Sequence, residues 1–463
     1  MIRSGILAFV IVICLTAVAV GQGVSGYEID TTQAINLSSF TWDIVGGGTR
    51  AQGMGNAYIA LSDDVSAGSW NPAGLMIQEK PVLGFSWGAF YPRGDYTGLG
   101  VALDQTDRFD KLNYASFIAP IRIKGHPFVG GISYTRNFEE YVNGGGATDY
   151  IFLNAFDDTA FGDVNVLTDY HAVLNSINFS AGTRVYGQWN MGVGLNIYTG
   201  EAIVNQSTRD LLSNYVPIEK APQHVEALTA IDLIDTINYS GVNFTIGVKR
   251  DGERFDFGLV VRTPFSLSYD LGRSVYTLVS YNGAPQGQFS DTTFLDENKI
   301  KYEMPMFIGA GIAYNATKDL IVATDFEYRP FSSSKVKVMD SVVISPSGDN
   351  EEFFTPADPN WENSFAFRFG LENTFHTGKS IAPNVPVRAG FGVMTLPRHG
   401  VDASGNADKV TRLSLSVGTG IHWTYIYLDA AYTYSKHDLT NELAAQELRF
   451  REHQLNLMFT GYF

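Results

Sequence analysis

The chain has 463 residues, 47 glycines, 13% aromatic and only 17% charged residues, a formal net charge of -16 and a single cysteine. One cysteine excludes a disulfide scaffold and a cysteine-based zinc site, and the acidic balance excludes a nucleic-acid binder, which carries a basic stripe. Many aromatics with few charges also exclude an intrinsically disordered chain.

The N-terminus reads as a secretory leader. Arg3 supplies the positive region, Ile6 to Ala19 is almost unbroken apolar sequence, and Ala19-Val20-Gly21 offers small residues for cleavage before Gln22. Residues 1–21 are therefore expected to leave the mature protein, taking Cys14 with them. No later apolar run approaches 18 residues, which rules out a helical membrane protein. A membrane β-barrel stays open, because alternating strands keep mean hydropathy near zero.

Residues 22–80 are expected to form a compact plug. Gly46 to Ala57 is rich in glycine and small residues, and Leu61 to Leu75 carries Asp63, Asp64, Trp70 and Asn71-Pro72-Ala73-Gly74. Short helical turns and tight bends suit this composition. Asp63 or Asp64 could cap a turn, and Pro72 ends whatever precedes it.

From residue 81 to 463 the chain reads as strands of period two. Met191, Val193, Leu195 and Ile197 oppose Asn190, Gly192, Gly194 and Asn196. Val242, Phe244, Ile246 and Val248 oppose Asn243, Thr245 and Gly247. Phe365, Phe367, Phe369 and Leu371 oppose Ala366, Arg368 and Gly370. Leu413, Leu415, Val417, Thr419 and Ile421 oppose Arg412, Ser414, Ser416, Gly418 and Gly420. A soluble sandwich would also alternate, but other features favour a membrane. Trp87, Tyr91, Trp189, Tyr198, Tyr328, Trp423, Tyr425 and Tyr434 gather near segment ends, as in a headgroup girdle. Short turns near 186–189, 250–254 and 315–319 alternate with long connections near 137–171, 200–236, 271–301, 330–361, 395–410 and 436–451. Within the third long connection, Val225, Leu228, Ile231 and Ile234 at spacing three predict a helix. The fold class is all-β, a transmembrane antiparallel barrel of about 14 strands with the N-terminal plug as a hatch inside its lumen. The last strand alternates through Leu455, Leu457 and Phe459 to Phe463, and its terminal aromatic resembles the signal read by outer-membrane assembly machinery.

The Gly-rich run, the Asp63-Asp64 pair and Asn71-Pro72-Ala73-Gly74 resemble the hatch of FadL-type outer-membrane proteins, a group that includes aromatic-hydrocarbon channels and the PorV shuttle of type IX secretion. Glu303-Met304-Pro305-Met306, at a place where the family often has Leu-Pro, and the terminal Phe463 extend the resemblance along nearly the whole mature chain. It implies a fourteen-stranded barrel, a hatch blocking the lumen, and hydrophobic ligands that enter from outside and leave sideways into the bilayer. It further implies that Trp70, Asn71, Pro72, Ala73 and Gly74 belong to the gating hatch. Gly130 and Gly131 would mark the lateral opening, although small residues there could equally relieve crowding against the hatch. Leu211, Leu212, Tyr215 and Val216 would form one wall of a surface groove for the ligand, with Leu278 and Val279 facing them. Arg368 and Arg388 point inward by alternation, but no cation stands out as the holder of a carboxylate.

Catalytic motifs do not survive their context. Gly84-Phe85-Ser86-Trp87-Gly88 spells the nucleophile-elbow pattern inside an alternating strand, where the motif needs a strand-to-helix turn. Gly46, Gly48 and Ala51 match a dinucleotide loop with no βαβ unit after them, and the eight histidines form no zinc-binding pair. No enzyme activity, cofactor or metal is expected. The expected role is a passive outer-membrane channel for hydrophobic molecules such as long-chain fatty acids or hydrocarbons, in contact with outer-membrane lipid in a Gram-negative cell. A PorV-like carrier of secreted proteins, or a structural surface protein, would use the same barrel. The acidic stretch Asp340 to Asn360 suits either protein-binding loops or loops that hold divalent cations at the cell surface.

Overall fold

A computed structural model describes residues 46–98, 101–106, 109–153, 159–213, 226–281, 284–291, 298–344, 350–441 and 446–463. The leader and residues 22–45 of the expected plug lie outside them. Among the described residues the chain opens with two short helices, α1 (Thr49–Gly53) and α2 (Ala67–Trp70), and a 3-10 turn over Pro72–Ile77. Twenty strand segments then occupy fourteen positions around one sheet. The first seven positions are β1 (Val82–Gly98), β2 with β3 (Val101–Thr106, Phe109–Ile123), β4 (His126–Leu153), β5 (Thr159–Tyr186), β6 (Trp189–Ser213), β7 (Glu226–Arg250), and β8 with β9 (Phe255–Arg262, Phe265–Tyr281). The other seven are β10 with β11 and β12 (Ala284–Asp291, Asn298–Met304, Phe307–Asn315), β13 with β14 (Leu320–Arg329, Val336–Ile344), β15 with β16 (Asn350–Ala357, Ser364–His376), β17 (Asn384–Val401), β18 (Ala407–His422), β19 (Ile426–Asn441) and β20 (Gln446–Tyr462). Neighbouring positions pair antiparallel. The ring closes where β1 meets β20, from Val82 opposite Tyr462 to Thr97 opposite Glu447. Closure leaves no sheet edge, which is how a β-structure satisfies its backbone in an apolar medium.

The two faces of the wall are inverted relative to a soluble barrel. Phe85, Phe117, Phe179, Val193, Phe244, Phe257, Ile312, Phe326, Phe367, Leu415 and Leu457 are exposed on the outside, while their neighbours Ser86, Ser116, Asn178, Asn196, Thr245, Arg368, Ser416 and Asn456 are buried inside. An apolar outer belt over a polar interior is the arrangement that suits hydrocarbon around a barrel. Ser86, the would-be nucleophile, faces inward, and its Oγ lies 3.1 Å from Thr49 Oγ1. Trp87, Trp189 and Tyr425 are exposed outside as a girdle requires, but Tyr198 is buried within the barrel.

Two expectations need correcting. The long connections are largely strand: β4 and β5 run 28 residues each, and β6 and β7 run 25 each. The helix expected from Val225 to Ile234 is not formed. Val225 lies outside the described residues, and Glu226–Arg250 is one strand paired to β6 along its whole length. Leu233, Asp235, Ile237 and Tyr239 are buried on one face, so period two replaces the spacing of three once the partner strands supply hydrogen bonds.

The wall is interrupted in four consecutive positions. Pro264 separates β8 from β9, Pro305 separates β11 from β12, Pro330 precedes a second 3-10 turn (Phe331–Ser333) before β14, and Pro359 lies between β15 and β16. Proline has no N–H to give a ladder, so each break falls where pairing stops. The β8–β12 ladder stops at Arg262 opposite Phe307, and the β9–β11 ladder resumes at Phe265 opposite Met304. At the next junction the ladders end at Ile308 opposite Tyr328 and at Tyr302 opposite Val336, with one bond in the gap, Glu303 N donating to Lys335 O at 2.9 Å.

Candidate functional site

The lumen is filled at one level by residues 46–80. Asn71 organises that segment. Its Oδ1 accepts from Ala73 N at 3.1 Å, capping the 3-10 turn, and its Nδ2 donates to Ile59 O at 3.1 Å and to Val248 O of the wall at 3.2 Å. Pro72 follows at the first helical position, where its missing N–H costs nothing. A side chain at Gly74 would overlap Ser62. Trp70 is buried, donates from Nε1 to Gly47 O at 2.7 Å and meets Tyr58 edge-on at 6.0 Å. Asp64, not Asp63, caps the turn before α2, accepting from Ser66 N at 2.7 Å.

The wall receives this segment on inward-facing glycines. A Cβ at Gly192 would overlap Pro72 and Ala73, one at Gly258 would overlap Ile59, and one at Gly390 would overlap Met54 and Gly55. Backbone therefore lies directly on backbone around the ring, which only glycine allows.

Charge ties the segment to the wall on one side. Arg50 forks onto Glu372, Nε to Oε2 at 2.8 Å and Nη2 to Oε1 at 2.7 Å, and also pairs with Asp63. Glu372 also binds Arg388 at 2.5 Å, Arg388 reaches Asp429 at 2.6 Å, and Asp429 meets His422 at 3.0 Å. Arg368 pairs with Glu327, which also holds Arg329 at 3.1 Å. Arg368 and Arg388 thus point inward, and acids of the wall neutralise both. Sequence reasoning passed over Arg50, although it is the only charged residue between Gly46 and Ala57.

Beyond the segment, toward the long connections, the lumen divides in two. One side is an aromatic cluster of Tyr198, Tyr239, Tyr269, Tyr302, Phe331 and Trp361, with Leu174, Leu267 and Met304. Phe265 stacks on Tyr198 at 4.8 Å, and Trp361 meets Phe331 edge-on at 6.0 Å. Phe331 and Trp361 come from the interrupted stretches between strands, where the chain leaves the ladder and turns inward. Against the other side lies a polar cavity of about 170 Å³, lined by Gln52, Asn113, Arg136, Arg412 and Glu452 among others.

The remaining residues singled out in the sequence are not brought together. Gly130 and Gly131 sit in an unbroken ladder, opposite Ala119 and Ile118 on β3 and opposite Ala181 and Ser180 on β5. A Cβ at Gly131 would lie 3.6 Å from Leu75 of the lumenal segment. The irregularity in β4 is six residues later, between Arg136 and Phe138. Leu211 and Leu212 pair with Leu228 and Ala227 of β7, whose other edge carries Val279 and Leu278, opposite Thr229 and Ala230. These residues lie on strands two apart in one sheet rather than on facing walls. Tyr215 and Val216 lie outside the described residues.

No family model matches the chain, and no curated protein matches it by sequence. Solved structures do share its fold. A Pseudomonas aeruginosa FadL homologue aligns with a TM-score of 0.54 at 13% identity, covering 90% of this chain and 98% of that one. The Pseudomonas putida toluene transporter TodX aligns at 0.55 and 12% identity, covering 91% and 99%. The Ralstonia pickettii toluene transporter TbuX aligns at 0.53 and 15% identity, covering 91% and 100%.

Proposed function

We propose that this protein is an outer-membrane channel for hydrophobic molecules, made with a cleaved signal peptide, in which residues 22–80 act as a movable hatch and the solute is released sideways into the bilayer. The observation that carries the reading is the aromatic cluster. A barrel already apolar on its outside holds a second, enclosed apolar region in its lumen, beyond a segment that fills the bore, and it does so in the fold of a FadL homologue and of toluene transporters. An apolar solute gains free energy on leaving water for such a region and loses little on passing from it to lipid. Long-chain fatty acids and hydrocarbons are the proposed cargo, and Trp70, Asn71, Pro72, Ala73 and Gly74 belong to the proposed gating hatch. Leu211, Leu212, Tyr215, Val216, Leu278 and Val279 remain the proposed outer groove, and Gly130 and Gly131 one proposed exit. The C-terminal strand ending in Phe463 is the proposed signal to the assembly machinery.

The test is uptake of a labelled long-chain fatty acid, and separately of labelled toluene, by cells that lack their own hydrophobic channel and express this protein. Insertion is verified by heat-modifiable gel mobility. Stimulated uptake supports the reading, and background uptake from a correctly inserted barrel of either cargo would sink it. A second reading, a carrier of secreted proteins, is favoured by the strand lengths. Crossing a bilayer takes about 9–11 residues, whereas β4 to β7 have 25 to 28, enough to raise a tall sheet above the membrane. Co-purification of a secreted protein that is lost when the ends of β4 to β7 are shortened would support it.

A further inference from the structure

We propose that the short-turn rim of the barrel is a docking surface for anionic phospholipid, with unpaired lysines and arginines spread around it to hold the lipid phosphates. Short turns of such barrels lie on the periplasmic side, so the lipid is that of the inner leaflet. The proposal rests on the outer-membrane reading and not on what the channel carries.

The first observation is where the bases stand. Arg122 and Lys124 lie at the turn from β3 to β4, Arg184 at that from β5 to β6, and Arg254 at that from β7 to β8. Lys318 lies at the turn from β12 to β13 and Lys379 at that from β16 to β17, and all of these residues are exposed. At the remaining short turn, from β18 to β19, exposed Lys80 lies over the Tyr425 ring, 5.1 Å from its centroid. A base therefore stands at every hairpin of the rim.

The second observation is that acids leave these bases unneutralised. None of the five turns gives its base a carboxylate partner among the described residues, and Arg184 meets the Asn190 side chain instead, at 3.4 Å. Glu79 and Glu253 are the exposed carboxylates of this end. Asp251 is taken up by Lys249 at 2.6 Å and Asp319 by His376 at 2.8 Å. The opposite end differs, for Arg209, Lys335, Lys337, Lys409 and Arg451 all pair with acids there. An unpaired basic rim is thus built into a chain whose formal net charge is -16.

The third is the level of the rim. Ile123 precedes Lys124, Val185 follows Arg184 and Phe255 follows Arg254, each an exposed apolar residue on the outside of the wall. Each base is one residue, about 3.3 Å along the strand, from the edge of the apolar belt. Lipid phosphates lie just beyond that edge, and long basic side chains rest their stems on apolar surface while their heads reach outward. Tyr186, Ile381 and Phe463 are exposed at the same end, at 81%, 76% and 70%, and supply apolar anchors. A soluble acidic partner would call for bases gathered in one patch. A ring that visits every hairpin fits a partner that surrounds the barrel, and lipid does.

In the experiment the full chain is reconstituted in vesicles of phosphatidylethanolamine and phosphatidylglycerol. The fraction of each lipid immobilised at the protein is read from spin-labelled versions of the two. Phosphatidylglycerol should be preferred about fivefold, the factor that one cation near an anionic headgroup supplies, and high salt should reduce the preference. The combined variant Arg122→Gln, Lys124→Gln, Arg184→Gln, Arg254→Gln, Lys318→Gln and Lys379→Gln should lose it. Lys335→Gln with Lys337→Gln, at the opposite end, should keep it. Equal immobilisation of both lipids by the wild type, or an unchanged preference in the combined variant, overturns the proposal. Heat-modifiable mobility of each sample separates the failures. A wild type that does not insert sinks the outer-membrane reading and this proposal with it, whereas an inserted wild type without the preference sinks this proposal alone.

Discussion

Asn71 makes three hydrogen bonds at a buried site, two of them within the lumenal segment and one to the wall. Asn71→Ala leaves the carbonyls of Ile59 and Val248 and the amide of Ala73 short of a partner, at about 1–3 kcal/mol for each group left unsatisfied. The expected result is a correctly inserted barrel whose lumenal segment becomes sensitive to protease. An intact segment after digestion would show that Asn71 does not hold it. Arg50→Met is expected to cost more, about 3–5 kcal/mol, because it removes the fork on buried Glu372 and leaves Asp63 only the Tyr58 hydroxyl. Its readout is entry of a large hydrophilic antibiotic, which should rise if the segment is freed. At the exposed turn after β17, the backbone N–H groups of Asn406, Ser404 and Gly405 and the Asn406 side-chain amide hold the Asp402 carboxyl below its ordinary range. A lowered value means the carboxylate favours the turn above about pH 4. That contribution fades as the pH falls through the lowered value, so the protection of the Ser404 and Asn406 amides, each taken relative to the intrinsic exchange rate at the same pH, should be high at pH 7 and should fall under strong acidification.

At the scale of elements, the docking of residues 46–80 depends on glycines in strands that otherwise tolerate side chains. Gly390→Val places atoms inside Met54 and Gly55, and Gly192→Val does the same to Pro72 and Ala73. Neither change touches the outer belt, so the barrel is expected to insert and keep its heat-modifiable mobility. The segment should be displaced, seen as a higher single-channel conductance in planar bilayers. Wild-type conductance would mean that the wall yields instead. The strand interruptions obey a different rule. Each contains one proline, and the two longer ones turn a connecting residue into the lumen, Phe331 and Trp361. Much of this was legible along the chain. The period of two, the short turns and the small inward residues placed the strands, and the Gly-rich run with its Asn-Pro placed the segment that fills them. The helix expected at 225–234 was not realised, because apolar residues at spacing three say nothing about whether a strand partner lies alongside. Tyr198 misled in a similar way. An aromatic near a strand end suits a girdle, but in strands of 25 to 28 residues the same position can lie mid-strand and face inward.

The whole molecule carries a formal charge of -16, yet its lumen is threaded with cations. Arg50, Arg329, Arg368 and Arg388 each sit on a carboxylate of the interior. The bore is therefore lined with matched ion pairs, and its aromatic cluster lies toward the side where the wall is broken. Such a lumen should conduct small ions poorly while residues 46–80 are in place. Conductance of the wild type in planar bilayers is expected to stay near the baseline, in contrast to the Gly390→Val variant, and an open wild-type pore would contradict the packed bore.

The sequence by itself determined what depends on local alternation and composition: that the chain is a closed set of antiparallel strands, that its outside is apolar, that about fourteen strands form the wall, and that a compact Gly-rich segment precedes them. Only the tertiary structure decided which residues meet across the lumen. Arg50 and Glu372 are 322 positions apart, and Asn71 and Val248 are 177 apart. Pro264, Pro305 and Pro330 look like isolated breakers until strand register brings them to neighbouring places in the wall. Alternation tells each residue which face it takes, because successive side chains point to opposite sides of a strand. Register and closure decide its neighbours, and those arise from pairings that no local stretch encodes.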